Sequence, residues 1–137
     1  MRKYVIDASI VLTALLESRK EILDKIKDFL LLVEKGKIEA ISTPFLKIEV
    51  ANGLRFNVNN STKAVELFDG FLALPLKYQK LDNSLYEESM YISYKIETTI
   101  YDTLYHVLAK AQNATFLTCD ENYYKKAKNL GDIELLQ

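Results

Sequence analysis

Short apolar runs alternate with stretches of helical period along the whole chain, and this alternation limits the fold more than any other feature. Tyr4 to Asp7 is an apolar run closed by an acid, the pattern of a buried strand. Ser9 to Glu17 reads as a short helix. Lys20 to Lys35 carries Ile22, Leu23, Ile26, Phe29, Leu30 and Val33 at helical spacing and stops at Gly36. Ile38 to Ser42 is a second strand. Thr43-Pro44 then offers a capping hydroxyl and a first-turn proline for a helix reaching Phe56. Beyond a loop at Asn57–Asn60, Ser61 to Leu72 reads as helix, tolerating Gly70, and Leu76 to Leu81 as strand. Ser84-Leu85-Tyr86-Glu87 is a capping box for a helix to Ile96. Tyr101 to Gln112 reads as helix, Ala114 to Thr118 as strand, Asp120 to Leu130 as helix and Ile133 to Leu136 as a last strand. Such alternation predicts an α/β domain with a mainly parallel sheet.

A length of 137 residues fits one domain, 1–137, without a linker or repeat. Lysine and arginine total 18 against 19 acids, so nucleic-acid binding must come from a local patch and not from a global positive field. Cys119 is the one cysteine, which excludes an intramolecular disulfide and a cysteine-based zinc cluster and suits a reducing compartment. Arg2 and Lys3 before Tyr4–Leu12 imitate a secretion signal, but Asp7 falls inside its apolar core. No apolar run is long enough to span a bilayer. The expectation is a cytoplasmic, soluble protein.

In parallel α/β sheets ligands bind beyond the carboxyl ends of the strands, so acids there are the first candidates. Asp7 closes the first strand, Asp120 follows the Ala114–Thr118 strand, and Asp102 opens a helix. Glu49 lies on an apolar stripe with Leu46, Val50, Gly53 and Leu54, and no lysine or arginine shares that stripe. A lone carboxylate there is costly unless it is paired or holds a metal. Taken singly, Asp120 also reads as a helix cap and Asp102 as a first-turn acid. Together, several acids at one sheet edge repel unless a cation sits among them. Hard oxygen donors without nearby His or Cys suit Mg²⁺ or Mn²⁺ and not zinc.

Asp7-Ala8-Ser9, Glu49-Val50-Ala51-Asn52-Gly53-Leu54, Tyr101-Asp102-Thr103-Leu104-Tyr105-His106-Val107-Leu108-Ala109 and Thr118-Cys119-Asp120 resemble the ordered motifs of the PIN domain. The likeness covers essentially the whole chain and is nearest to the small VapC-type ribonucleases of toxin–antitoxin pairs. It implies a Rossmann-like three-layer α/β/α sandwich and a metal-dependent endoribonuclease using Mg²⁺ or Mn²⁺. On this resemblance Asp7 and Asp102 are the primary metal ligands, and Glu49 and Asp120 complete the catalytic acid set. Ser9, Asn52 and Thr118 are supporting hydrogen-bond groups. The resemblance also implies an RNA substrate, a homodimer and an antitoxin partner, with the Lys20–Lys35 helix as candidate antitoxin groove. A housekeeping RNA-processing nuclease and a non-catalytic PIN-like binding module are the alternatives. A phosphoacceptor receiver domain also gathers acids at strand tips, but Val5-Ile6-Asp7-Ala8 lacks its acidic pair.

Tyr123-Tyr124-Lys125-Lys126 interleaves rings with charge just after Asp120, making Tyr123, Lys125 and Lys126 possible RNA contacts. His106 shares its helix face with Thr103, Lys110 and Asn113 and reads as a solvated histidine. Glu97 reads as a solvated acid, and Cys119 as a small apolar filler.

Overall fold

The computed structural model describes all residues, 1–137. Its strands are β1 (Arg2–Ile6), β2 (Ile38–Ser42), β3 (Lys77–Tyr78), β4 (Thr115–Thr118) and β5 (Ile133–Leu135). They form one sheet in the order β3-β2-β1-β4-β5, and all four pairings are parallel. The helices are α1 (Ala8–Leu16), α2 (Lys20–Glu34), α3 (Leu46–Asn57), α4 (Ser61–Leu72), α5 (Asn83–Ile96), α6 (Ile100–Ala111) and α7 (Glu121–Ala127). Helices flank the sheet, giving the expected α/β/α arrangement. No helix is long and apolar enough to cross a membrane.

Strand order reverses beside β1: β2 lies on one side of it and β4 on the other. A cleft opens at such a switch point, beyond the strand ends. Val5, Ile6, Ala40, Ile41, Phe116 and Leu117 fill the sheet's share of the core, because parallel strands covered on both faces need apolar side chains on both. Helix α6 packs against β1 and β4 with α5 outside it, while α1 packs against both α2 and α3, and α3 against α4. Gly53 of α3 lies against Leu12 of α1, and a Cβ there would displace the end of that leucine.

Three local readings change. The Leu76–Leu81 strand shrinks to Lys77–Tyr78, an edge strand paired only to β2. The helix expected from Pro44 starts at Leu46, where the Thr43 carbonyl and hydroxyl accept from Leu46 and Phe45 and hold Pro44–Phe45 as a turn. Asp82, not Ser84, caps α5: it accepts from Leu85 N at 3.0 Å, and Ser84 donates to it at 2.7 Å.

Candidate functional site

Asp7, Glu49, Asp102 and Asp120 share one structural position. Asp7 caps α1 directly after β1, Glu49 lies in the first turn of α3 after β2, Asp102 in the first turn of α6, and Asp120 caps α7 after β4. A helix that follows a parallel strand turns back from the strand's carboxyl end. The N-termini of α1, α3 and α7 therefore lie at the carboxyl edge, as does that of α6, which runs back to the start of β4. The partial positive charge there softens a carboxylate.

Each acid also has a hydrogen-bond donor of its own. Asp7 is 9% exposed. Its Oδ1 accepts from Ser9 Oγ at 2.5 Å and Ser9 N at 3.1 Å, and its Oδ2 accepts from Thr118 Oγ1 at 2.6 Å. Ser9 Oγ in turn accepts from Cys119 N at 2.8 Å, so Ser9 and Thr118 stitch the ends of β1 and β4 together. Glu49 Oε1 accepts from Tyr105 OH at 2.5 Å. Asp102 and Thr99 cap one another: Thr99 Oγ1 donates to Asp102 Oδ2 at 3.2 Å and accepts from Asp102 N at 3.3 Å. Asp120 Oδ1 accepts from Tyr123 N at 3.0 Å.

The electrostatics are those of like charges brought together. Burial, with a smaller push from the Asp102 charge, raises Asp7 to about 6 against the bonds from Ser9, Thr118 and Ile10. Burial raises Glu49, with the Tyr105 bond opposing and the Asp102 charge adding to the rise. Burial also raises Asp102, and the Asp120 charge pushes it in the same direction. Asp102 is thus the hub through which the other three feel one another. None of the ion pairs in the chain (Glu17–Arg19, Glu39–Lys77, Asp132–Lys110, Glu121–Lys125) involves any of the four. In this conformation no three Asp, Glu, His or Cys side chains are gathered in a geometry that grips one ion.

Residues 4–129 match the PIN domain. The chain belongs to the PIN-domain family. No curated protein matches it in sequence. Among solved structures, this PIN domain is similar to VapBC2 from Rickettsia felis, bound to a DNA fragment from their promoter. That match has 19% identity and a TM-score of 0.73, and covers 98% of this chain and 99% of that one. DNA-bound VapBC from Salmonella typhimurium matches at 14% identity and TM-score 0.71 over 100% of both chains. Mycobacterium tuberculosis VapC20, a sarcin-ricin loop cleaving toxin, matches at 10% identity and TM-score 0.66, covering 89% of this chain and 93% of that one.

Two residues escaped the sequence reading. Tyr105 partners Glu49, and Thr99 partners Asp102; each lies three residues from Asp102, Tyr105 within the motif already singled out and Thr99 just before it. The spacing S/T-x-x-D at Thr99–Asp102 is a capping signal that marks Thr99. Nothing local signals the Tyr105 contact, which joins two helices.

Three expectations need correction. His106 is not solvated: it is 1% exposed, and its ring nitrogens meet Tyr123 OH at 2.8 Å and the Gly131 carbonyl at 2.7 Å. Helix α6 is buried on every side from Thr103 to Ala109, so its polar residues are satisfied inside the protein. Tyr123 is 3% exposed and cannot stack on a base; burial, and then the charges of Asp102, Asp7 and Asp120, hold its phenol protonated. Asn52 is exposed and lines a depression of about 450 Å³ with Ile48, Glu49 and Tyr101, without bonding to an acid. Lys125 and Lys126 are exposed, with Lys126 donating to the Glu97 carbonyl at 2.7 Å. Glu97 is exposed as expected, and Cys119 packs against the core.

Proposed function

We propose that this PIN domain is a divalent-metal endoribonuclease, the toxin of a toxin–antitoxin pair. Four carboxylates at helix N-termini have no lysine or arginine partner, and the Asp102 charge couples to the other three; that combination supports the reading. The donor set fits Mg²⁺ or Mn²⁺, because every side chain available is a hard oxygen ligand. Asp7 and Asp102 are the assigned primary ligands, with Glu49 and Asp120 completing the set. Turning Glu49 away from Tyr105 and Asp102 away from Thr99 frees the oxygens that an ion takes. Once bound, the metal lowers the pKa of coordinated water and offsets charge on the phosphoryl oxygens. Glu49, whose burial raises its proton affinity, is our assignment for the base that accepts the proton of the attacking water. Ser9 and Thr118 orient Asp7, and Tyr105 orients Glu49.

The toxin assignment draws on the fold shared with the VapBC complexes, and RNA cleavage on the fold shared with VapC20. The proposed partners are a second copy of the chain and an antitoxin. An apolar groove of about 470 Å³ between α3 and α4, lined by Leu54, Val58, Ala64, Val65 and Phe68, is a second candidate antitoxin seat beside α2. The test is cleavage of structured RNA with Mn²⁺, with chelator and Asp7→Asn as controls. Cleavage that survives both controls would overturn the metal assignment.

A further inference from the structure

A concave pocket of about 480 Å³ lies beside the proposed cleft, lined by Tyr86, Met90, Ser93, Tyr94, Thr98 and Thr99. Its volume falls within the range of small-molecule sites, about 300–1,000 Å³. Thr99 belongs to both places: it lines the pocket, and its hydroxyl donates to Asp102. Tyr94 also lines the pocket, 83% exposed and with no aromatic partner of its own. Thr98 Oγ1 is the one buried side-chain polar atom in the molecule with no hydrogen-bond partner. Ser93 Oγ is already spent on the Met90 carbonyl at 2.8 Å, whereas the Thr98 hydroxyl lies just beneath the wall without a partner. The backbone turns sharply just before it, with Glu97 in the left-handed region at φ 56°. Lys126 is held on the Glu97 carbonyl at 2.7 Å, placing a cation at the rim.

A stacking ring, an unspent hydroxyl, a rim cation and a residue shared with an acid match the parts of a nucleotide. We propose that this pocket receives an unpaired RNA base next to the scissile phosphate. The base stacks on Tyr94, its edge meets the Thr98 hydroxyl after a turn of that side chain, and a flanking phosphate meets Lys126. A second protein copy would leave the Thr98 hydroxyl unexplained. The pocket thereby sets which nucleotide is presented for cleavage. This inference rests on the ribonuclease reading.

The experiment compares wild type with Tyr94→Ala and Thr98→Val. Binding of labelled short poly-A, poly-U and poly-C oligoribonucleotides is followed by anisotropy in chelator, and cleavage of a structured RNA in Mn²⁺ is measured beside it. The expected result is that Tyr94→Ala weakens binding by about tenfold or more, the usual loss for one stacked base. It should also raise KM while leaving kcat unchanged. Thr98→Val, which keeps the shape and removes the hydroxyl, should narrow the differences among the three homopolymers. If wild type cleaves RNA and both variants match it in KM, binding and cut sites, the pocket receives no base while the ribonuclease reading stands. If wild type neither binds nor cleaves, the ribonuclease reading fails and takes the pocket with it. If the variants bind RNA normally but lose mass in light scattering, the face is a protein interface and the proposal is overturned.

Discussion

Tyr105 OH and Glu49 Oε1, on separate helices, lie 2.5 Å apart in a hydrogen bond that ties α6 to α3 at the edge of the cleft. The phenol is 1% exposed, so no water can replace its partner. Tyr105→Phe removes the donor and keeps the ring. Bonds to charged groups contribute about 1.5–3 kcal/mol, and the variant should lose stability on that scale in chelator. Chemical denaturation at neutral pH measures it; an unchanged midpoint would mean that the bond holds nothing together.

Asp7 makes metal-free stability depend on pH. Its folded value of about 6 lies above the unfolded value near 3.9, so the folded chain holds this proton more tightly. Its contribution is full below about pH 4 and is lost as pH rises to about 6, leaving a cost on the order of 2–3 kcal/mol above that. Asp7→Asn escapes this cost and should melt higher than wild type in chelator near neutral pH, with the gap closing toward pH 4. A variant that melts lower throughout would show that the four accepted bonds outweigh the burial.

Excess Mn²⁺ should reverse that order. An ion that binds only the folded state adds about 2.7 kcal/mol at a hundredfold excess over its dissociation constant. Wild type should gain this increment and Asp7→Asn should gain little. Equal shifts in both proteins would remove Asp7 from the ligand set.

His106 acts in the opposite sense to Asp7. Burial lowers its folded value, and the nearby Lys110 charge adds to the effect. The unfolded chain takes up this proton near pH 6.5 while the folded chain resists it, so stability is full above that value and is lost as pH falls below it. His106→Gln should be less stable at pH 7.5 but lose less on acidification to pH 5.5 than wild type does. Parallel curves would mean that His106 stays neutral, or stays charged, in both states.

Light scattering at micromolar concentration should return twice the chain mass. A monomer would count against the proposed homodimer.

Asp7 and Asp120 could be placed from the sequence because each follows an apolar run, and strand ends in a parallel sheet are where helices begin. The burial of His106 was not legible, because helical period identifies one apolar face, whereas α6 is enclosed on all sides by the sheet and α5. Its polar residues look like a wet face until their internal partners, Tyr123 OH and the Gly131 carbonyl, are known. Tyr105 was hidden for a related reason: a tyrosine in an apolar stretch reads as filler, and only the meeting of α6 with α3 gives its hydroxyl a task. The short β3 reflects its position at the sheet edge, where one neighbour alone supports it.

The bond between Thr118 Oγ1 and Asp7 Oδ2 spans 111 residues of sequence. During synthesis, Asp7 leaves the ribosome 111 residues ahead of Thr118. Until β4 arrives beside β1, Asp7 lacks its Thr118 donor, Ser9 lacks the Cys119 amide, and Asp120 is not yet present. A growing or prematurely ended chain therefore carries an open, solvated Asp7 and no assembled cleft. Whatever chemistry the cleft performs is withheld until β4 has been made and has paired with β1.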